Sequence, residues 1–75
     1  ALESGKELHL ETVNVRDLTE AVLRQIQVKS HKIHLNYDFS TMVADPKRLE
    51  QVLRNLLENA VRYVPEGRSI EVRWS

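Results

Sequence analysis

Cysteine is absent from the 75 residues, so neither a disulfide framework nor a thiolate metal site is available. Only two glycines and two prolines occur, so the chain holds neither a glycine-rich phosphate loop nor a proline-rich linker. Charge of one sign does not dominate: eleven basic residues face eleven acidic ones, without runs. That balance gives no electrostatic case for nucleic acid or for an anionic membrane surface. No apolar run approaches the length needed to span a bilayer, and no signal-peptide layout is present, so no insertion or secretion is expected of this segment. Repeats and low complexity are also missing. What remains is at most one small domain with a modest core.

In chain order, Ala1 to Gly5 reads as the tail of an incoming helix, with a glycine at its end. Lys6 to Val13 alternates, and Leu8, Leu10 and Thr12 are expected to face the core as a half-buried strand. Asn14 is a helix cap, with Asp17 three residues on. The helix it starts is expected to reach about Lys29 and to bury Val15, Leu18, Ala21, Val22, Gln25 and Ile26. Ile33, Leu35, Tyr37 and Phe39 alternate with polar residues as the clearest strand, and Thr41 to Ala44 reads as a short return strand.

Asp45 caps a second helix, Pro46 suits its first position, and nothing breaks it before Pro65. Leu49, Val52, Leu53, Leu56, Leu57 and Ala60 form an apolar stripe, with Asn55, Asn59 and Arg62 along its edge. Lys47, Glu50, Arg54 and Glu58 take the outer face. Val64 to Gly67 is a turn, and Ile70, Val72 and Trp74 alternate as a last strand. The order strand, helix, strand, strand, helix, strand implies a two-layer α/β arrangement, α+β in class, with both helices on one face of a sheet. The last strand is expected to pair inside that sheet, leaving an unpaired edge.

Asparagine is a mediocre helix former and costly to bury unpaired, so two of them one turn apart beside an apolar seam need a reason. On spacing alone, such a pair is more often two exposed or cap-like amides. The stretch Asn55-Leu-Leu-Glu-Asn59-Ala-Val-Arg62-Tyr63, preceded by Arg48-Leu-Glu-Gln51-Val52-Leu53, resembles the asparagine box of sensor histidine kinases. Their ATP-binding domain shares its fold with gyrase, Hsp90 and MutL. Leu2 to Lys6, followed by the alternating strand and Val15-Arg-Asp-Leu18, resembles the join to the dimerisation helix of such kinases.

The resemblance implies a division at residues 1–5, as dimerisation-helix tail or linker, and 6–75, as the first half of the ATP-binding catalytic domain. It implies an incomplete two-layer sandwich of the histidine-kinase ATPase type. Asn59 would be a Mg²⁺ ligand through its amide oxygen, with Asn55 approaching the same ion or its waters, since Mg²⁺ takes hard oxygen ligands and keeps several waters. Arg62 would contact phosphate oxygens and Tyr63 would pack on adenine. In the gyrase and Hsp90 relatives, the water-activating base holds the place of Asn55, which cannot accept a proton; this favours phosphoryl transfer to a protein side chain over hydrolysis.

The implied cofactors are ATP and Mg²⁺. The implied partners are the protein's own dimerisation domain, a response regulator and a second copy in a homodimer, with neither nucleic acid nor direct membrane contact. The location is expected to be cytoplasmic, with anchoring of the parent in the inner or plasma membrane left open. The phosphoacceptor histidine is not expected here: His9, His31 and His34 read as exposed strand and loop residues outside a helical His-Glu/Asp setting. His31 and His34 could form half a metal site, without further ligands to complete it. Adenine recognition and the phosphate lid lie in later glycine-rich segments of the family, so the 75 residues alone are expected to bind no Mg-ATP measurably. They are also expected to associate or remain partly disordered, because the half-sheet exposes apolar surface. Two alternatives stay open: a non-catalytic scaffold of the same fold, and an anti-sigma-factor-like serine kinase.

Overall fold

The computed structural model describes residues 8–75, so the expected linker at 1–5 and the strand start at Lys6 lie outside the described residues. The elements are β1 (Glu11–Asn14), α1 (Val15–Ile26), β2 (Lys32–Tyr37), β3 (Thr41–Ala44), α2 (Pro46–Tyr63) and β4 (Ser69–Trp74). Type and order match the sequence reading, and the chain is a small α+β unit of two helices and two sheets.

The strand pairing differs from a single sheet. β1 and β3 form an antiparallel pair, and β2 and β4 a parallel one. Thr41–Ala44 therefore does not return onto β2 but crosses to β1, with Val13 opposite Met42. A parallel pair needs a crossover, and β3 with α2 supplies it between β2 and β4. The free edge of β4 has no strand partner among the described residues.

Both helices pack on the β2–β4 sheet. Val22 of α1 and Leu53 and Leu57 of α2 are buried together, and Leu18, Leu23, Ile26, Val72 and Trp74 close around them. The first strand is turned over relative to expectation. Val13 is buried, whereas Leu8 and Leu10 are exposed and Thr12 points outward. Strand side chains alternate, so placing Val13 inward forces Thr12 out, and only Glu11–Asn14 enters the ladder.

α1 is shorter than expected. It stops at Ile26 because Gln27 adopts the left-handed conformation (φ 50°), and its N–H bonds back to Leu23 O. Asn14 caps the other end, its Oδ1 accepting from Asp17 N at 3.0 Å. The buried line of α1 is Val15, Thr19 and Val22, with Gln25 exposed rather than buried. Thr19 is fully buried yet satisfied. Its hydroxyl donates to Val15 O at 2.7 Å and accepts from Trp74 Nε1 at 2.9 Å. That hydroxyl joins the first turn of α1 to the end of β4. Trp74 also meets Phe39 edge-on, with centroids 6.4 Å apart.

α2 starts where Asp45 predicts. Asp45 Oδ1 accepts from Lys47 N at 3.1 Å and Arg48 N at 3.4 Å, while Oδ2 accepts from His9 N at 3.2 Å. The His9 amide chiefly, with those of Arg48 and Lys47, holds the Asp45 carboxyl below its ordinary pKa. No helix among the described residues is long and apolar enough to cross a membrane.

Candidate functional site on the second helix

The apolar stripe of α2 is wider than its cover. Of the six residues in it, Leu53 and Leu57 are buried and Leu49 and Ala60 are half-buried, but Val52 is 55% and Leu56 62% exposed. α1 and the β2–β4 sheet together reach only one side of the helix. At about 100° per residue, Asn55 lies roughly 160 to 200° from Leu53 and Leu57. The amides thus border the exposed half of the stripe and sit opposite the core, not beside its buried seam.

Asn55 and Asn59 are both exposed, and neither side chain has a hydrogen-bond partner among the described residues. Tyr63 is 74% exposed at the last turn. Following the same rotation, Val52, Leu56 and Tyr63 make an apolar strip running beside Asn55 and Asn59. This is one wall of a potential site: apolar on one side, amide on the other. Val52 also borders a shallow apolar cavity with Leu8, Leu10 and Ala44, and Leu56 one with Ile70, Val72 and Arg73 of β4.

Arg62 is placed differently. It lines a groove of about 400 Å³ between the C-terminal end of α1 and α2, together with Gln25, Gln27, Lys29, Arg54 and Glu58. Asn55, Asn59 and Tyr63 are not among that groove's lining residues. The four residues singled out from sequence therefore share one helix but not one concavity.

Arg54, expected on the outer face, instead braces the two helices. It donates to Gln25 Oε1 on α1 and pairs with Glu50 at 3.2 Å. An i,i+4 pair this exposed contributes about 0.3 to 0.5 kcal/mol, so the brace matters for orientation more than for stability. Glu58 is exposed, on the side away from Asn59.

Sequence reading missed two polar residues. Thr19 was legible in principle, since Val15, Thr19, Val22 and Ile26 recur at i, i+4, i+7 and i+11 and a threonine hydroxyl can bond the carbonyl one turn back. His31 was not legible. Rather than an exposed loop residue it is half-buried, with Nδ1 2.7 Å from Ser30 Oγ and Nε2 2.8 Å from Val64 O. His34 and His9 are exposed as expected. No cluster of three or more potential metal ligands of the His, Cys, Asp or Glu kind occurs among the described residues.

No family model matches the chain. Individual proteins do. The adaptive-response sensory kinase SasA of Trichormus variabilis is 32% identical over 83 residues, an alignment covering 95% of this chain and 21% of that protein. The sensor histidine kinase SpaK of Bacillus subtilis is 32% identical over 76 residues, covering 93% of this chain and 17% of SpaK. Among solved structures, the cytoplasmic segment of histidine kinase QseC superposes with a TM-score of 0.73 at 26% identity, covering 88% of this chain and 45% of that one. The homologues of this chain are thus sensor histidine kinases, and it spans about a fifth of the length of the first of them.

Proposed function

We propose that the chain is part of the ATP-binding domain of a two-component sensor histidine kinase, with α2 as its asparagine box. The observation that carries this reading is the similarity to sensor histidine kinases over 93 to 95% of the chain. On α2, Asn55 and Asn59 stand exposed beside Val52, Leu56 and Tyr63, open to a ligand but not enclosed in a cleft. A helix with only folding to serve would place charged residues there. Kinship with sensor histidine kinases supplies the class of ligand.

The residues fit Mg-ATP in kind. Amide oxygens with no protein partner are free to meet a hydrated hard cation or its waters. Mg²⁺, when bound, offsets charge on the triphosphate. Asn59 would hold the ion and Asn55 would orient its water shell. Being neutral, neither adds repulsion toward phosphate, as a carboxylate would. Tyr63 would offer its ring to adenine. Arg62 would donate to phosphate oxygens by turning from its groove toward the amide strip.

The parent would pass the γ-phosphoryl group of ATP to a histidine of its own dimerisation domain and then to a response regulator, acting as a homodimer in the cytoplasm. Asn55, standing in place of a carboxylate, cannot accept a proton from water, in keeping with transfer to a side chain. The test is autophosphorylation of the full-length protein with labelled ATP. Asn59→Ala, or removal of Mg²⁺ by a chelator, abolishes labelling while thermal unfolding of the variant stays at the wild-type temperature. Full labelling of a folded Asn59→Ala protein would remove this asparagine from the metal site.

A further inference from the structure

We infer that His31 is a positioning residue for the nucleotide-facing end of α2, an inference that rests on the reading above. Val64 is the C-cap of α2, with its N–H on Ala60 O. A carbonyl oxygen can only accept, so His31 Nε2, 2.8 Å from Val64 O, carries the ring proton. In the neutral ring Nδ1 is then the acceptor for the Ser30 hydroxyl at 2.7 Å. Each ring nitrogen is thereby used, and the imidazole has one orientation.

A second bond lies beside it: Gly67 N donates to Ser30 O at 3.0 Å. Ser30 and His31, in the connection from α1 to β2, thus hold both ends of the turn that leaves α2. Gly67 carries φ 89°, a conformation that a residue with a Cβ adopts only under strain.

The clamp acts one residue beyond Tyr63 and two beyond Arg62. Tyr63 is 74% exposed, so its direction is set by the backbone of the last helical turn and not by packing. Helix ends fray unless their carbonyls are bound. By binding the cap carbonyl, His31 fixes where the Tyr63 ring and the Arg62 guanidinium begin. It touches neither nucleotide nor metal.

The experiment compares full-length wild type with His31→Leu, His31→Gln and Ser30→Ala. Hydrogen exchange at the Arg62–Val64 amides is read without nucleotide, and the Mg-ATP dissociation constant is read by titration. His31→Leu is expected to speed exchange at these amides and to weaken Mg-ATP by roughly tenfold. His31→Gln, whose amide keeps a donor at comparable reach, restores most of both. Ser30→Ala, which frees only Nδ1 and is the fallback should His31→Leu not fold, gives a smaller change in the same direction.

Unchanged exchange in folded His31→Leu or Ser30→Ala would overturn the clamp, whatever the ligand. Faster exchange with unchanged Mg-ATP binding would overturn its positioning role. Failure of wild type itself to bind Mg-ATP would defeat the kinase reading and the positioning role with it, while the exchange result would still stand apart.

Discussion

The two sides of α2 are built on different terms. On one side Leu53 and Leu57 lie buried against Val22 of α1 and against Val72 and Trp74 of β4. On the other, two amides without hydrogen-bond partners among the described residues, two exposed aliphatic side chains and a tyrosine face outward. The first side explains why the helix folds where it does. The second is not explained by contacts among the described residues, and an open apolar surface of this kind is where an interaction is to be sought.

Substitutions that act on one side and spare the other sharpen this contrast. The largest effect expected is functional: Asn55→Ala in the full-length protein removes most Mg-ATP binding, while stability stays within about 0.5 kcal/mol, as for surface changes that touch nothing. Leu57→Ala does the reverse, costing about 2 to 5 kcal/mol of stability by opening a cavity between the helices. An Asn55→Ala variant that melts like Leu57→Ala would dissolve the distinction between the two sides.

A smaller loss is expected of Thr19→Val, which keeps shape but strands the Trp74 indole N–H. Its cost is about 1 to 3 kcal/mol by denaturant unfolding. In the other direction, Gln27→Gly relieves a left-handed backbone and should gain about 0.5 to 1 kcal/mol, since glycine adopts that conformation freely. An unaltered unfolding midpoint for this change would mean that the C-terminal end of α1 is free to relax.

The smallest effect is a pH dependence. The Asp45 carboxyl has its pKa lowered in the folded chain, so its contribution is present above the unfolded carboxylate value and is lost as pH falls through the lowered one. Acid below about pH 4 should therefore loosen the start of α2, where the His9, Lys47 and Arg48 amides meet this cap. Asp45→Asn, which titrates no proton, should flatten that part of the stability profile.

Elements and their order were legible because they depend on local chemistry: caps at Asn14 and Asp45, a proline at the first turn of α2, alternation through β2 and β4. Pairing was not, because which strand meets which is decided by partners far along the chain. Thr41–Ala44 carries the same alternation whether it returns to β2 or crosses to β1. The facing of Leu8 and Leu10 failed for a related reason: a strand with alternating residues has two faces, and the buried Val15 that follows selected the one carrying Val13. On α2 the stripe was read correctly as a pattern, but sequence does not say how much of a stripe its neighbours reach. That left Val52 and Leu56 in solvent. His31 was invisible since both of its partners arise from turns.

The bond between Trp74 and Thr19 joins residues 55 positions apart, across the parallel β2–β4 crossover. Contacts so distant in sequence form late, once the intervening loop has closed. During synthesis α1 can meet α2 first through Val22, Leu53 and Leu57, but β2 has no parallel partner until β4 arrives. The indole then both packs against the core and occupies the threonine hydroxyl, so this contact waits for β4. A nascent chain halted before Ser69 would hold both helices and the β1–β3 pair but neither the β2–β4 ladder nor the Trp74–Thr19 bond.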